Sequence, residues 1–319
     1  MSPPHHPLRA RSLLPGERGV ARRLTAGALA LALGLAASPA VSAPEGPALM
    51  RVVADRALDD PRAALAQVRQ RLAAADAGDT DAEFWLRLAQ VEVLAHTDNE
   101  AESQRELAVA AQRLPAGPSA RQHRLWLDFY RRYVASGAVD PQQFRRLQAE
   151  AREQARAVGD EALLCRLDLY EAVVQVELDA VDDAWAALEA VDGCAERLGD
   201  AGLRAYALGT MGPLAWRVGS RQPPQTYYQR ALAALGGRPA RHRRAWLLDD
   251  LGWALVNGGQ PAAARGPFEQ VLALSTAIGD LSFTMRGHEG LAEVLLLQGD
   301  AAGALRHAQT SLLLAAGQP

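Results

Sequence analysis

Apolar side chains recur along this chain at intervals of three and four residues, and no stretch alternates apolar with polar at a strand's period of two. Leu247, Leu248, Leu251 and Leu255 form one such stripe; Ala264, Phe268, Val271 and Leu274 form the next. That spacing gathers apolar groups on one face of an α-helix, so each stripe predicts a helix with one buried side. Between them lies Asn257-Gly258-Gly259-Gln260-Pro261, where glycine ends one helix and proline suits the first turn of another. The two stripes predict a helical hairpin whose second helix runs from Pro261 to Thr276.

The hairpin recurs every forty residues. Gly219, Gly259 and Gly299 share this offset, as do Gly159-Asp160, Gly199-Asp200 and, skipping one unit, Gly279-Asp280. In each Gly-Asp step the glycine ends the preceding helix and the aspartate is suited to cap the next. Leu251-Gly252 aligns with Met211-Gly212 and Leu291-Ala292, while Phe268 aligns with Tyr228, Leu188 and Ala308. Leu232, Leu272 and Leu312 form a further column, and small residues such as Ala264 let paired helices approach closely. A plain helical bundle has no need of the same offset four times; stacked hairpins do.

Composition agrees with this pattern. Hydrophobic residues make up 49% of the 319 and aromatic residues 5%, with alanine and leucine dominant. Alanine, leucine, arginine, glutamate and glutamine are the best helix formers, so the fold class is all-α.

The repeat resembles the tetratricopeptide repeat (TPR) in its forty-residue form. Leu248, Leu251, Gly252, Leu255, Gly259, Ala264 and Phe268 stand where that family places its large and small residues. An earlier unit resembles it through Trp126, Phe129, Tyr133 and Gly137, with two residues inserted near Val139-Asp140-Pro141. A unit from Asp81 does so through Trp85, Leu88 and Ala101. The chain departs from the pattern where Asp179 replaces the turn glycine, where Pro224 occupies the close-contact column, and where no proline ends the second helix. The resemblance implies an array over 80–319, preceded by a helical hairpin within 44–79 at 47–58 and 61–75. Together these make a right-handed α-solenoid of about seven antiparallel helix pairs.

Residues 1–43 read differently. Arg9, Arg11, Arg18, Arg22 and Arg23 precede an apolar run from Leu24 to Ala37, followed by Ser38-Pro39-Ala40-Val41-Ser42-Ala43. This is the layout of a secretory signal, cleaved after Ala43 or Ala40 or retained as an anchor. The run is short for a membrane span, and none of that length follows residue 44. The expected location is the periplasm, free or held at the inner membrane by that anchor alone.

Charge narrows the chemistry. All 34 basic residues are arginine, so no lysine is available for a P-loop or a Schiff base. Beyond residue 43 there are 29 arginines against 36 acidic residues, a net of −7, with no basic stripe interleaved with aromatics. Nucleic acid is therefore not an expected partner. The seven histidines, His5, His6, His96, His123, His242, His288 and His307, show no metal-ligand spacing, and no nucleophile elbow or phosphate loop is present. Asp249-Asp250 are neighbours on one helix and face different directions, and Asp182-Asp183 begins a helix whose dipole suits them. The reading is a protein without catalytic residues, metal or cofactor.

The expected partner is a protein or peptide. In TPR-like solenoids the first helices line the concave face, which here implies Arg166, Tyr206, Trp246 and Arg286, then Trp253 and Glu293, with Asp249, Asn257 and Glu289 adding polar groups. These residues either hold a partner or pack between units. A signal followed by such repeats is also similar to the sensory amino-terminal half of bacterial GGDEF diguanylate cyclases. An assembly factor for envelope or export machinery is a third reading. Leu305, Leu312, Leu313 and Leu314 leave the last helix apolar, so it is an imperfect cap, a contact for a partner or second copy (a homodimer through the C-terminal helix), or part of a longer chain.

Cys165 lies early in the first helix of its unit and Cys194 late in the second, on opposite sides of the Asp179-Ala180 turn. They face each other across the hairpin, either as buried thiols or, after export, as a disulfide. Mass spectrometry of unreduced protein is expected to show the Cys165–Cys194 crosslink; two freely alkylated thiols would exclude it.

Overall fold

A computed structural model describes residues 46–75, 78–95, 99–134, 140–220 and 222–317. The expected signal, 1–43, lies outside these residues, as do Gly137 and Val139. Among the described residues all regular structure is helical, and the helices come in consecutive pairs. They are α1 (Pro47–Ala57) with α2 (Pro61–Ala74), α3 (Thr80–Leu94) with α4 (Glu100–Gln112), and α5 (Ala120–Val134) with α6 (Pro141–Ala157). Then follow α7 (Glu161–Glu177) with α8 (Val181–Leu198), α9 (Ala201–Leu214) with α10 (Pro224–Leu235), α11 (Arg241–Asn257) with α12 (Pro261–Ile278), and α13 (Leu281–Leu297) with α14 (Ala301–Ala315). Each pair packs on the next, and the described residues form an α-solenoid of seven pairs.

The turns follow from local chemistry. Gly219, Gly259 and Gly299 take φ of 66°, 72° and 86°, the left-handed region that closes each hairpin. Asp179 stands in the same column and takes φ of 61° there. At the other turns Gly199 and Gly279 end α8 and α12 in the left-handed conformation. The aspartate after each then accepts a hydrogen bond from the first turn of the next helix: Asp200 from Leu203 N–H at 2.9 Å, Asp280 from Phe283 N–H at 3.2 Å. Asp160 does the same for α7, from Leu163 N–H at 2.9 Å. α9 stops at Leu214, earlier in its unit than α11, because Pro213 has no N–H for the helical ladder.

Packing within a unit depends on size complementarity. The ring of Phe268, fully buried, lies against Gly252 of its own unit and Gly290 of the next. Tyr228 lies in the same way against Gly212. In the unit of α7 and α8 the same two positions hold Ala172 and Leu188, both fully buried: a larger first-helix residue meets a smaller second-helix one.

The core runs in patches along the array. An N-terminal core extends from Leu49 to Val174, and a second extends from Cys165 to Leu251 and includes Leu58. α7 belongs to both, giving Leu163, Leu167, Tyr170 and Val174 to the first and Cys165 and Ala172 to the second. α1 and α2 stack on α3, burying Leu49, Met50, Val53, Ala64 and Val68 in the N-terminal core, so this hairpin is the first unit of the stack.

Gly252→Ala would place its Cβ 2.6 Å from Phe268 Cζ, whereas a Cβ on Gly193 of α8 would meet only the end of the Arg197 side chain, at an ordinary contact distance of 3.6 Å. Both changes gain up to about 1 kcal/mol of helix propensity, but overpacking costs about 1–3 kcal/mol. Denaturant unfolding is therefore expected to show Gly252→Ala destabilising and Gly193→Ala stabilising the chain.

Candidate functional site

The array curves enough to bring distant first helices together. Glu92 of α3 accepts from Arg166 of α7 at 2.9 Å and from the Tyr130 hydroxyl of α5 at 2.6 Å. The Arg166 guanidinium also lies 5.6 Å above the Trp126 ring. Arg166 is thus engaged by the two units that precede its own.

Tyr206 and Trp246 stack with centroids 5.6 Å apart and planes at 29°. Beside this pair sits a residue absent from the expected set, Arg243, its guanidinium 5.0 Å from each ring. Arg243 is 8% exposed, makes no ion pair among the described residues, and buries its Nε without a hydrogen-bond acceptor. Burial lowers its pKa, and burial raises that of the Tyr206 hydroxyl.

The other expected residues fall into separate groups. Asp249 is fully buried and accepts from Arg286 Nε at 2.7 Å. The same guanidinium lies 3.7 Å from Asp250, so two carboxylates expected to face apart share one cation. Trp253 lies edge-on to Phe268 of its own unit, with centroids 5.5 Å apart. Glu289 accepts from Ser311 of α14 at 3.3 Å, Glu293 is half-buried on α13, and Asn257 is exposed at the end of α11. The structure therefore assembles Tyr206, Trp246 and Arg243 in one place, Asp249 and Arg286 in another, and leaves Asn257 apart.

The α1–α2 turn closes the curve. Leu58 projects from it into the C-terminal core, against Gly202, and is the one member of that core from before Cys165 among the described residues. Asp59 receives the Arg241 guanidinium on both oxygens, at 2.8 Å and 2.6 Å, and this hydrogen bonding holds its pKa below the ordinary carboxylate value. Neither residue was marked in the sequence as functional. The signal was there nonetheless, since the skipped Gly-Asp step is Pro239-Ala240 and leaves α11 without a cap of its own.

Cys165 and Cys194 form a disulfide across the α7–α8 hairpin, with Cα atoms 5.8 Å apart. A crosslink spanning 29 residues restricts the unfolded chain by about 3–4 kcal/mol. The bond lines a recess of about 240 Å³ with Arg152, Arg156, Asp168 and Arg197. Among the described residues no group of three or more His, Cys, Asp or Glu side chains could hold a metal ion, and no helix is long and apolar enough to cross a membrane.

Most of the large apolar side chains that stand exposed among the described residues lie on the last pair. Leu296, Leu297, Leu305, Leu312 and Leu313 are between 47% and 70% exposed. Forty residues earlier, Leu272 occupies the column of Leu312 and packs on α13 over Gly287.

Burial, and next the charge of Asp249, raise the Asp250 pKa to about 7. A carboxyl raised in the folded state binds its proton more tightly there, so stability falls as pH rises from about 4 to 7. Asp250→Asn removes that dependence. It is expected to stabilise the chain by about 2 kcal/mol at pH 8 and by almost nothing at pH 4, as read from urea unfolding at each pH. Equal effects at both pH values would refute the assignment.

The chain matches no protein-family model and no curated protein, so the functional reading has to come from its own geometry.

Proposed function

We propose that this chain is an exported, non-catalytic TPR-like scaffold that holds another polypeptide in the cell envelope. The observation that carries this reading is the apolar ridge of α13 and α14. Five leucines about half exposed or more on one helix pair form a patch of the kind that marks protein interfaces. In the preceding unit the equivalent surface is an interface already, because Leu272 and Val271 of α12 pack on Gly287 of α13. The face at Leu312 thus has the chemistry of a unit-to-unit contact, and a partner helix with a small residue at its centre fits it. A second copy of this chain, meeting through α14, is one such partner.

Export is supported by the basic, apolar and small-residue zones of residues 1–43 together with the Cys165–Cys194 disulfide, which persists in oxidising compartments.

A photo-crosslinking residue placed at Leu312 in the producing cell is expected to give an adduct of discrete protein mass. The same probe at Gln104, an exposed polar site on α4, should give none. Leu305→Glu with Leu312→Glu is expected to abolish the adduct while leaving the circular-dichroism melting curve unchanged. Equal adducts at both positions, or none at Leu312, would overturn the reading.

A further inference from the structure

The repeat carries a surface groove from unit to unit, but the lining of that groove changes. Between α10, α11 and α12 a recess of about 400 Å³ is lined by Leu232, Leu248 and Leu274, with Ala273, Gln270 and Arg244. Eighty residues earlier, the positions of the three leucines are held by Arg152, Asp168 and Cys194, which line the recess of about 240 Å³ between α6, α7 and α8. A cation, an anion and one half of the disulfide thus stand where the later unit has leucines. The polar lining belongs to this unit and is no requirement of the repeat.

Helical spacing sets what meets there. Arg152 and Arg156 share a face of α6, Leu164 and Asp168 a face of α7 beside Cys165, and Cys194 and Arg197 a face of α8. The charge of Arg152 is already engaged: its Nε donates to Asp168 at 3.0 Å, and its guanidinium also pairs with Glu171. Glu161, the other acidic residue of the lining, stands exposed in the first turn of α7, where the helix dipole suits it. Arg156 and Arg197 stand exposed in the last turns of α6 and α8, and neither makes an ion pair among the described residues. Two free guanidiniums therefore flank a recess that reaches a disulfide. Cys165 has no exposed surface and Cys194 is 8% exposed, so Cys194 is the member open to a reagent in the recess. The reagent that opens a disulfide is a thiolate, and unpaired cations draw anions to the site they flank.

We propose that this recess is a site of reversible S-thiolation, and that it takes small thiols bearing a carboxylate. The carboxylate pairs with Arg156 and Arg197, whose planar forks suit it, while the thiolate attacks Cys194 Sγ. A bond forms between the two sulfurs as the Cys194–Cys165 bond breaks. Both electrons of the broken bond leave on Cys165 Sγ, which takes a proton from water. The small thiol is oxidised to a mixed disulfide on Cys194, and Cys165 is reduced to a thiol. Attack by the Cys165 thiolate on Cys194 reverses the step and releases the small thiol, so no further oxidant or reductant is needed. Opening the crosslink frees the hairpin whose first helix, α7, joins the two larger cores, so a change at one sulfur acts on the stack. This site is independent of the scaffold reading and goes beyond it.

The probes are 3-mercaptopropionate, 2-mercaptoethanol and cysteamine, which end in an anion, a neutral group and a cation. Each is added to the purified, oxidised full-length chain, and the products are trapped by alkylation and located by mass spectrometry. Rates are compared after correction for thiolate fraction and nucleophilicity. The carboxylate thiol is expected to react about tenfold faster than the neutral one, with the cationic thiol slowest and the adduct on Cys194. Arg156→Gln with Arg197→Gln should bring the three rates together while leaving the 2-mercaptoethanol rate and the circular-dichroism melting curve unchanged. Equal corrected rates in the wild-type chain, or a preference that survives the double substitution, would overturn the proposal. So would a first adduct on Cys165, or a rate that does not rise with thiol concentration, since the bond would then open only when the chain unfolds. None of these outcomes bears on the adduct at Leu312.

Discussion

Three N–H groups at the start of α11 have no acceptor within their own unit, and the chain satisfies them from a turn 182 residues earlier in sequence. Everything else about the overall form is compatible with this contact. The array has to curve until α1 meets the ends of α8 and α10 and α2 meets the end of α12. The unit starting at α11 can dispense with the Gly-Asp step its neighbours use, and Gly202 has to lack a side chain where Leu58 enters. A backbone requirement met locally in α7, α9 and α13 is met at long range in α11, and that difference ties the two ends of the array together.

The remaining stability comes from neighbours. Gly252 against Phe268 and Gly212 against Tyr228 repeat one solution, a bare backbone in the first helix facing a ring from the second. Where the ring is missing, as at Leu188, the glycine gives way to Ala172. Such pairs let an alanine- and leucine-rich chain pack densely with few aromatics, because the volume lost on one helix is supplied by the other. α7 is buried on two faces and joins the two larger cores, and the disulfide fixes the hairpin it belongs to.

Curvature also decides which polar and aromatic residues remain available to a partner. Arg166 is engaged by Glu92 and Trp126, and Asp249 by Arg286. Trp253 packs on Phe268. What stays open is the exposed apolar surface of α13 and α14, which at Leu312 repeats the chemistry of the unit-to-unit contact made by Leu272.

The hairpins, their forty-residue offset, the turn glycines and the aspartate caps were legible in the sequence because each depends on residues a few positions apart. A left-handed turn selects glycine, or Asp179 in its place, and an N-cap selects aspartate, whatever the rest of the chain does. The facing of Cys165 and Cys194 was legible for the same reason, since a hairpin's midpoint fixes which residues stand opposite. The pairing of Glu92 with Arg166, the place of Arg243 beside Tyr206 and Trp246, and the docking of Leu58 and Asp59 were not. These contacts depend on curvature, which accumulates from a small rotation at every unit interface and leaves no mark at any single position. The missing aspartate at Ala240 marked a need in the sequence, but only the tertiary structure decided that Asp59 would meet it.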